Sequence, residues 1–258
     1  MDIINKKHYN TTDLNPELTF KNHVYHRDHF AHYLRWSHII KNLRKLKNKN
    51  ISICDFGCGK GNLAEVIYRN RMKVKKYTGI DIRNVVNEKL KVLDWVQIIT
   101  DDLINPMSEW YKYIEADIVC SFEVIEHVGK NNVTQFLKKF KECGNYNAIY
   151  YLSTPNYDEK VGAAKNHIFD SGDGRGESVQ EFSHLELENH ISDAGFKIIN
   201  KYGTFASIKD YKHKMDDFQE EIFTKLRKYY DTEILSVLMA PMFPEESRNC
   251  LWVLEKKQ

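Results

Sequence analysis

The sequence has little that would mark a secreted, membrane-bound or nucleic-acid-coating protein. Residues 1–20 lack the apolar core of a signal peptide, and no apolar run approaches the length of a membrane span. The formal net charge is only +2 over 258 residues, which gives no indication of a strong nucleic-acid or membrane partner. A basic run at 41–49 is typical of the solvated side of a helix but leaves a local nucleic-acid contact open. We therefore expect a soluble protein without a membrane partner.

The chain also lacks paired cysteines, internal repeats and a low-complexity linker. None of its five cysteines forms a C-x-x-C pair, so they are interpreted as reduced residues of a cytoplasmic protein. A length of 258 residues suits one α/β domain with insertions. We expect a single domain over 1–258, with an N-terminal helical cap at 1–49, a lid loop at 157–181 and a helical insertion at 205–248.

The most informative stretch is a glycine-rich turn between an apolar strand at 51–56 and a helical pattern from Leu63. Such a turn presents free backbone N–H groups at the point where a nucleotide-like ligand can approach closely. A dinucleotide fingerprint, G-x-G-x-x-G, would require glycine at position 62, but that residue is Asn62 and the third glycine is Gly61. This spacing disfavours an NAD-dependent oxidoreductase.

The pattern D-x-G-x-G-x-G, formed by Asp55, Gly57, Gly59 and Gly61 after an apolar strand, resembles the first motif of class I S-adenosylmethionine (SAM) dependent methyltransferases. The resemblance implies SAM as the cofactor and S-adenosylhomocysteine as its product. It also implies that the Gly57–Gly61 backbone, including Cys58, packs against the methionine part of SAM. The ammonium group of SAM would then face a nearby carboxylate such as Asp55.

Acidic residues also end the next two predicted strands. Asp81 follows Gly57 by 24 positions (81 − 57), which suits a carboxylate that accepts hydrogen bonds from both ribose hydroxyls. The third strand ends in Asp101 and Asp102, and the resemblance implies that one of them, left open here, accepts from the adenine amine. The remaining residues assigned to the cofactor site are apolar neighbours of these strand ends: Ile82, Leu103 and Phe122.

The order of strands predicts the fold. Predicted strands end near residues 56, 82, 100 and 122, with helical patterns between them, which indicates a parallel sheet with right-handed crossovers. We expect a Rossmann-like, seven-stranded, mostly parallel sheet with helices on both faces. The last strand, near 250–255, would be antiparallel and, by the resemblance, would lie between the fifth and sixth. In the insertion before it, apolar residues recur at helical spacing and predict one common face: Met215, Phe218, Ile222, Leu226 and Tyr229.

Methyl transfer needs an aligned nucleophile and, for a hydroxyl or a protonated amine, a base. Glu123 and His127 follow the fourth strand directly, and His127 is the best general-base candidate because its unperturbed pKa lies near neutrality. A supporting or capping role for His127 remains the alternative, and His167 and His184 are rival bases. The resemblance also implies that the segment before the first strand covers the SAM pocket, which makes four of its residues candidate contacts of cofactor or substrate: His29, His32, Tyr33 and Arg35.

A more specific resemblance concerns Glu123, Glu126, His127 and the later His167. It is to the two-Glu, two-His metal site of small-RNA 3′-terminal 2′-O-methyltransferases, in which Mg²⁺ or Mn²⁺ holds the ribose hydroxyls. Two departures weaken it, because Val128 stands where a second adjacent histidine is expected and Asp170-Ser171 replaces a Glu-Trp pair.

The leading hypothesis is an enzyme that methylates an oxygen or nitrogen of a small-molecule or nucleotide-like substrate. The alternatives are the metal-dependent RNA enzyme and a catalytically silent SAM-fold binding subunit. The sequence does not predict the oligomeric state.

Overall fold

The computed structural model describes residues 27–46, 50–156, 166–170 and 176–257. Seven strands form one sheet in the order β3-β2-β1-β4-β5-β9-β8, and two more form a separate hairpin, β6-β7. The strands are β1 (Ser52–Phe56), β2 (Lys76–Asp81), β3 (Val96–Thr100), β4 (Ala116–Phe122), β5 (Gly144–Pro155), β6 (Asn166–Asp170), β7 (Gly176–Gln180), β8 (Phe196–Phe205) and β9 (Asn249–Lys256).

The pairing confirms the predicted Rossmann-like sheet. Strands β1 to β5 pair in parallel, and β9 runs antiparallel between β5 and β8. The chain runs outward from β1 to β3 and then returns to place β4 on the other side of β1. Open α/β sheets bind their ligands beyond the carboxyl ends of the strands at such a reversal.

The helices are α1 (Arg27–Lys45), α2 (Asn62–Arg69), α3 (Glu88–Lys91), α4 (Val133–Glu142), α5 (His184–Asp193), α6 (Ile208–Tyr211), α7 (Asp217–Leu226) and α8 (Thr232–Leu238). The prediction of a helix between successive strands is wrong for the β3–β4 connection, which contains only a 3₁₀ turn, Trp110–Tyr113. Hydrogen bonds to the Asp101 carboxylate organise this connection instead, from the Met107 amide and the Trp110 indole. Within the described residues, no helix combines the length and apolarity needed to cross a membrane.

Strand β1 is buried on both faces, which explains why most of its residues are apolar, with Asp55 as the buried exception. Phe56 lies on the face covered by α4 and α5, where its ring centroid is 5.4–5.8 Å from those of Trp110, Phe136 and Phe140. The opposite face packs against α1 and α2, through buried residues such as Trp36 and Leu63. The two apolar layers hold β1, and therefore the glycine turn that follows it, at a fixed position.

The helical insertion has its own small core, but the apolar face predicted for it is wrong in part. Phe218 and Tyr229 are 69% and 81% exposed, whereas the residue packed at the centre is Phe223. Helix α7 begins at Asp217 and ends at Leu226, so Tyr229 lies beyond it and cannot continue the stripe. Tyr211 and Phe243 stack at 4.3 Å between centroids in the same core.

The predicted lid contains regular structure. Residues 166–170 and 176–180, expected to be loop, form the antiparallel hairpin β6-β7. Their sequences are mostly polar and lack the apolar alternation that identifies a strand. Strand β7 contacts the 3₁₀ turn Ile125–His127 that follows β4. The structure does not describe the rest of the predicted lid, residues 157–165 and 171–175. It also does not describe residues 1–26 and 47–49 of the predicted cap, or the side chain of His29.

Candidate active site

The glycine turn has a conformation that only glycine adopts readily. Gly57, Gly59 and Gly61 have φ angles of 71°, 53° and 82°. A Cβ on Gly57 would lie 2.3 Å from Cγ2 of Val124, whereas a Cβ on Gly59 would meet nothing within 4 Å. The Gly57 amide donates to the carbonyl of Ile80 at 2.8 Å, so the turn is held against the end of β2. Gly57 therefore serves close packing, and Gly59 faces open space where a ligand can approach the backbone.

Asp81 is fixed at the edge of this open space. Its carboxylate is 5% exposed and accepts from the Gly59 amide at 2.8 Å (Oδ2) and from the Arg83 amide at 2.9 Å (Oδ1). An ionised carboxylate has about four acceptor sites, so both oxygens can still accept from a ligand. The adjacent Ile82 is 64% exposed and offers an apolar surface beside the carboxylate.

Asp55 lies within the sheet. Its side chain is 4% exposed; Oδ2 accepts from the Tyr77 hydroxyl at 2.6 Å and Oδ1 from the Cys120 thiol at 3.5 Å. Burial raises the pKa of this carboxyl to about 7, although the bond from Tyr77 opposes the shift. Its contact with a ligand ammonium stays a prediction. Cys58 is also buried, and its side chain packs over Gly79.

The two aspartates after β3 have different surroundings. Asp101 is 7% exposed and accepts from the Met107 amide at 3.0 and 3.1 Å and from the Trp110 indole at 3.0 Å. Burial raises the pKa of the Asp101 carboxyl, but these bonds and one from the Asp102 amide outweigh it, so the pKa lies below its usual range. Asp102 is only half-buried and accepts from the Ile104 amide at 2.6 Å through Oδ1. Asp102 therefore has the carboxylate with spare acceptor capacity, next to the buried Leu103.

Beyond β4, Glu123 is the centre of a hydrogen-bond network. Its φ of 56° is unusual for a residue with a side chain. Oε1 accepts from Arg35 Nη1 at 2.9 Å and from the Ser153 hydroxyl at 2.8 Å, and Oε2 accepts from Asn249 Nδ2 at 3.2 Å. Four separate elements, α1, β4, β5 and β9, therefore meet at one carboxylate.

Arg35 and His32 are the cap residues that the structure brings to this network. Arg35 is 1% exposed, and its Nη2 lies 2.6 Å from His32 Nδ1. Tyr33, on the other side of α1, is 45% exposed and packs edge-on against Trp36. The predicted contact of Tyr33 with cofactor or substrate stays a prediction.

Glu126 and His127 lie beside Glu123, on the turn that β7 contacts. Glu126 is 2% exposed and accepts from the Thr154 hydroxyl at 2.9 Å. Burial, and then the charge of Glu123, raise the pKa of Glu126 well above its usual range, which favours the neutral acid. His127 Nε2 lies 3.9 Å from Glu126 Oε1, and its side chain is 28% exposed.

Of the two rival histidines, only His184 has a described side chain, and its printed contacts are with other residues. His184 Nε2 lies 2.9 Å from the Ser247 carbonyl, and its ring packs 5.9 Å from that of Trp252. Burial lowers the pKa of His184. It lines a cavity of about 430 Å³ at the β8–β9 end of the same sheet edge, together with Phe205, Ser207, Asp210, Ser236 and Arg248. His167 belongs to β6, but its side chain lies outside the described ones, and the searched residues contain no metal-binding group of three or more ligands.

Sequence reasoning missed Ser153, Thr154 and Asn249 as site residues. Ser153 and Thr154 were noticed only as part of a family-like Ser-Thr-Pro-Asn segment, and Asn249 belongs to no motif. Only the pairing of Pro155 with Asn249 across β5 and β9 brings that amide to the site.

The residues after β1, β2 and β3 fit an adenosyl sulfonium ligand on structural grounds. The uncovered backbone at Gly59, the fixed carboxylate of Asp81, the exposed Ile82 and the spare oxygen of Asp102 all lie at the carboxyl edge of adjacent strands. This donor and acceptor set suits a ribose, a flat base and an amino-acid tail.

Comparisons with known proteins agree with this fit. A family model described as "Methyltransferase domain" matches residues 26–201. No curated protein matches the sequence. Among solved structures, the chain is similar to a SAM-dependent methyltransferase from Clostridium acetobutylicum, with a TM-score of 0.57, 11% identity, and coverage of 88% of this chain and 92% of that one.

Two further solved structures were obtained with S-adenosylhomocysteine. One is an O-methyltransferase of a trans-AT PKS multienzyme from Brevibacillus brevis, with a TM-score of 0.56, 13% identity, and coverage of 100% and 81% of the two chains. The other is the 1,6-didemethyltoxoflavin-N1-methyltransferase of Burkholderia thailandensis, with a TM-score of 0.53, 11% identity, and coverage of 87% and 79%. At these identities the likeness concerns the fold.

Proposed function

The chain belongs to the class I SAM-dependent methyltransferase family, and we propose that it methylates an oxygen or nitrogen of a small-molecule or nucleotide-like acceptor. The observation that carries the proposal is the position of the Glu123, Glu126 and His127 group at the end of β4, next to the glycine turn of β1. Val124, between these acids, packs against Gly57, so the two sites share a wall.

The cofactor residues have separate tasks in this proposal. When bound, SAM supplies an electrophilic methyl group on a sulfonium. Asp81 accepts from the ribose hydroxyls, Asp102 accepts from the adenine amine, and Ile82 covers the base. Gly59 lets the tail approach the backbone, because any side chain there would enter the open space.

Proton transfer is assigned to His127. Both oxygens of Glu123 already accept hydrogen bonds, from Arg35, Ser153 and Asn249, so Glu123 is better suited to hold the site together than to act as a base. His127 keeps partial exposure to solvent, through which a proton taken from the acceptor hydroxyl or amine can leave. Glu126, held by the Thr154 hydroxyl, lies 3.9 Å from His127 Nε2.

The metal-dependent RNA alternative is less well supported. The Arg35 guanidinium is itself a cation and lies 2.9 Å from Glu123 Oε1. Glu123 is one of the residues that the alternative needs as a metal ligand. A small acceptor is supported by the 430 Å³ cavity beyond β8 and β9, a volume typical of small-molecule sites. The names of two similar structures refer to O- and N-methylation, so the choice between the two atoms stays open.

The direct test has two stages. Calorimetric titration with S-adenosylhomocysteine should show saturable binding; absence of binding at high ligand concentration would favour the silent binding subunit. Methyl transfer from labelled SAM to panels of small hydroxyl and amine compounds, nucleotides and 3′-terminal RNA should then be measured with and without EDTA. We expect activity that survives the chelator and is lost in His127→Ala. His213→Ala, which changes an exposed histidine of the insertion, is the matched control and should retain it, and RNA-only activity abolished by EDTA would contradict the proposal.

A further inference from the structure

The side chain of Asn156 is a buried amide without hydrogen-bond partners. It follows β5 directly and is 1% exposed, yet neither its Oδ1 nor its Nδ2 has a partner. Among the described side chains, it is the one in which two buried polar atoms lack partners. Burial of polar atoms without partners is unfavourable, and such groups in folded proteins usually have a functional reason or bind a water molecule.

The backbone around Asn156 is held firmly, so the side chain is not a loose surface group. The backbone N–H of Asn156 donates to the Arg248 carbonyl. The residue also forms an isolated β-bridge with Phe182, which is 2% exposed. Side chains alternate along an extended chain, so Asn156 lies on the same face as Thr154. The Thr154 hydroxyl bonds Glu126, which places Asn156 beside the proposed methyl-transfer group.

Asn156 does not itself line the cavity of this edge, but its backbone partner does. Arg248, whose carbonyl holds Asn156, lines the 430 Å³ cavity at the β8–β9 end of the edge. The neighbouring Asn249 gives its amide to Glu123 and is therefore already engaged. Asn156 is the amide at this edge whose donor and acceptor both remain available.

We propose that Asn156 binds the methyl acceptor and determines specificity, by pairing with a group that presents a hydrogen-bond acceptor and donor side by side. An asparagine amide offers one carbonyl and one NH₂ in a plane, and their complement is a planar carboxamide, a lactam or the edge of a nucleobase. A buried site of this kind rejects analogues that lack either group, because its own polar atoms would stay unpaired. The inference rests on the proposed function and names the acceptor chemistry.

The first measurement concerns stability without ligand. Asn156→Leu replaces the unpaired amide by an apolar group of similar size, so its unfolding temperature should equal or exceed that of the wild type. Asn249→Leu is the matched control and should lower it, because that substitution removes the partner of Glu123. A loss in Asn156→Leu as large as in the control would mean that the amide is satisfied in the folded protein and would overturn the inference.

The second measurement concerns recognition, with protein saturated by S-adenosylhomocysteine. Adenine and benzamide carry the paired groups, whereas purine and acetophenone lack the donor, provided that both purines are used as their 9-methyl derivatives, because a free ring N–H beside N3 would itself supply a donor–acceptor pair. Ligand-observed NMR measures the affinity of each. The wild type should prefer adenine over purine and benzamide over acetophenone, and Asn156→Leu should reduce these preferences by about tenfold. Failure of the wild type to bind adenine or benzamide, or an unchanged preference in the variant, would overturn the inference.

The two proposals can fail separately. Asn156→Leu should bind S-adenosylhomocysteine as the wild type does, since Asn156 lies on the acceptor side. Loss of cofactor binding in this variant alone would also overturn the assignment of Asn156 to the acceptor. If the wild type itself does not bind S-adenosylhomocysteine, the proposed function fails.

Discussion

Arg35 Nη1 donates to Glu123 Oε1 at 2.9 Å, and this bond joins the N-terminal helix α1 to the tip of β4 across 88 positions of sequence. The Arg35 side chain is almost fully buried and that of Glu123 is 21% exposed, so solvent only partly screens the pair. Helix α1 is therefore coupled to the proposed methyl-transfer group by a charged contact as well as by its apolar face.

Replacement of Arg35 should weaken the fold and the site together. Arg35→Met leaves the Glu123 carboxylate without its cation, so we expect the free energy of unfolding to fall by about 1–3 kcal/mol. Urea denaturation measures this change, and a double-mutant cycle with Glu123→Gln isolates the pair. Strictly additive effects in the cycle would contradict a direct coupling.

Asp81 should matter for the cofactor as well as for the glycine turn, because its carboxylate also accepts from the Gly59 and Arg83 amides. Asp81→Ala removes the acceptor for the ribose hydroxyls, so we expect S-adenosylhomocysteine affinity to weaken by about 1–3 kcal/mol in calorimetric titration. Asp94→Ala, an exposed aspartate just before β3, is the control and should bind normally. Equal affinity of the Asp81 variant and the wild type would remove the ribose assignment.

The two aspartates after β3 should respond in opposite ways. Asp102→Asn should reduce affinity for S-adenosylhomocysteine with little effect on stability, because Asp102 is assigned to the adenine amine. Asp101→Asn should lower the unfolding free energy by about 1–3 kcal/mol, because Asp101 holds the Met107 amide and the Trp110 indole. The reverse pattern in thermal unfolding and titration would exchange their roles.

Alanine substitutions at two glycines of the turn should have different effects on stability and on cofactor binding. A Cβ at position 57 collides with Val124, so Gly57→Ala should destabilise the protein by about 2–4 kcal/mol. Gly59→Ala meets open space and should cost only the left-handed strain, about 1–2 kcal/mol, while S-adenosylhomocysteine affinity falls about tenfold or more. Normal binding by folded Gly59→Ala would mean that no ligand approaches there.

Asp55 should give the protein a dependence on pH. Its carboxyl has a pKa of about 7 in the folded protein and an ordinary, lower value when unfolded, so the folded state binds an extra proton between about pH 4 and pH 7. The contribution of this group to stability therefore falls as pH rises through that window, by at most about 4 kcal/mol, and is constant above it. Urea denaturation of Asp55→Asn should show a smaller loss between pH 5 and pH 8 than the wild type. Asp94→Asn should behave as the wild type, and an unchanged slope in Asp55→Asn would contradict the shift.

The cofactor half of the site was readable because local sequence determines it. A strand buried on both faces is mostly apolar, and a turn with three left-handed residues needs glycine, so β1 and the residues after it have a recognisable pattern. The role predicted for Asp81 follows from its position at the end of β2. The choice between Asp101 and Asp102 did not follow, because it depends on whether Trp110, nine positions later, reaches back to the carboxylate.

The part of the site proposed to bind the methyl acceptor could be predicted only partly from the sequence, because residues far apart in the chain form it. Glu123 was found by its position after β4, but its partners come from α1, β5 and β9, and no local pattern links them. The hairpin β6-β7 was missed because its strands are polar. The Met215–Tyr229 stripe failed at Tyr229 because α7 ends at Leu226, and at Phe218 because the inward face of α7 contains Phe223 instead.

The antiparallel insertion of β9 has a consequence for synthesis of the protein on the ribosome. Strand β8 pairs with the rest of the sheet only through β9, and β9 also carries Asn249 to Glu123. A nascent chain that does not yet contain residues 249–256 therefore cannot join β8 to the sheet or form the hydrogen bond from Asn249 to Glu123. The order of translation thus delays assembly of these contacts until β9 has emerged, so shorter nascent chains lack the bond from Asn249 to Glu123.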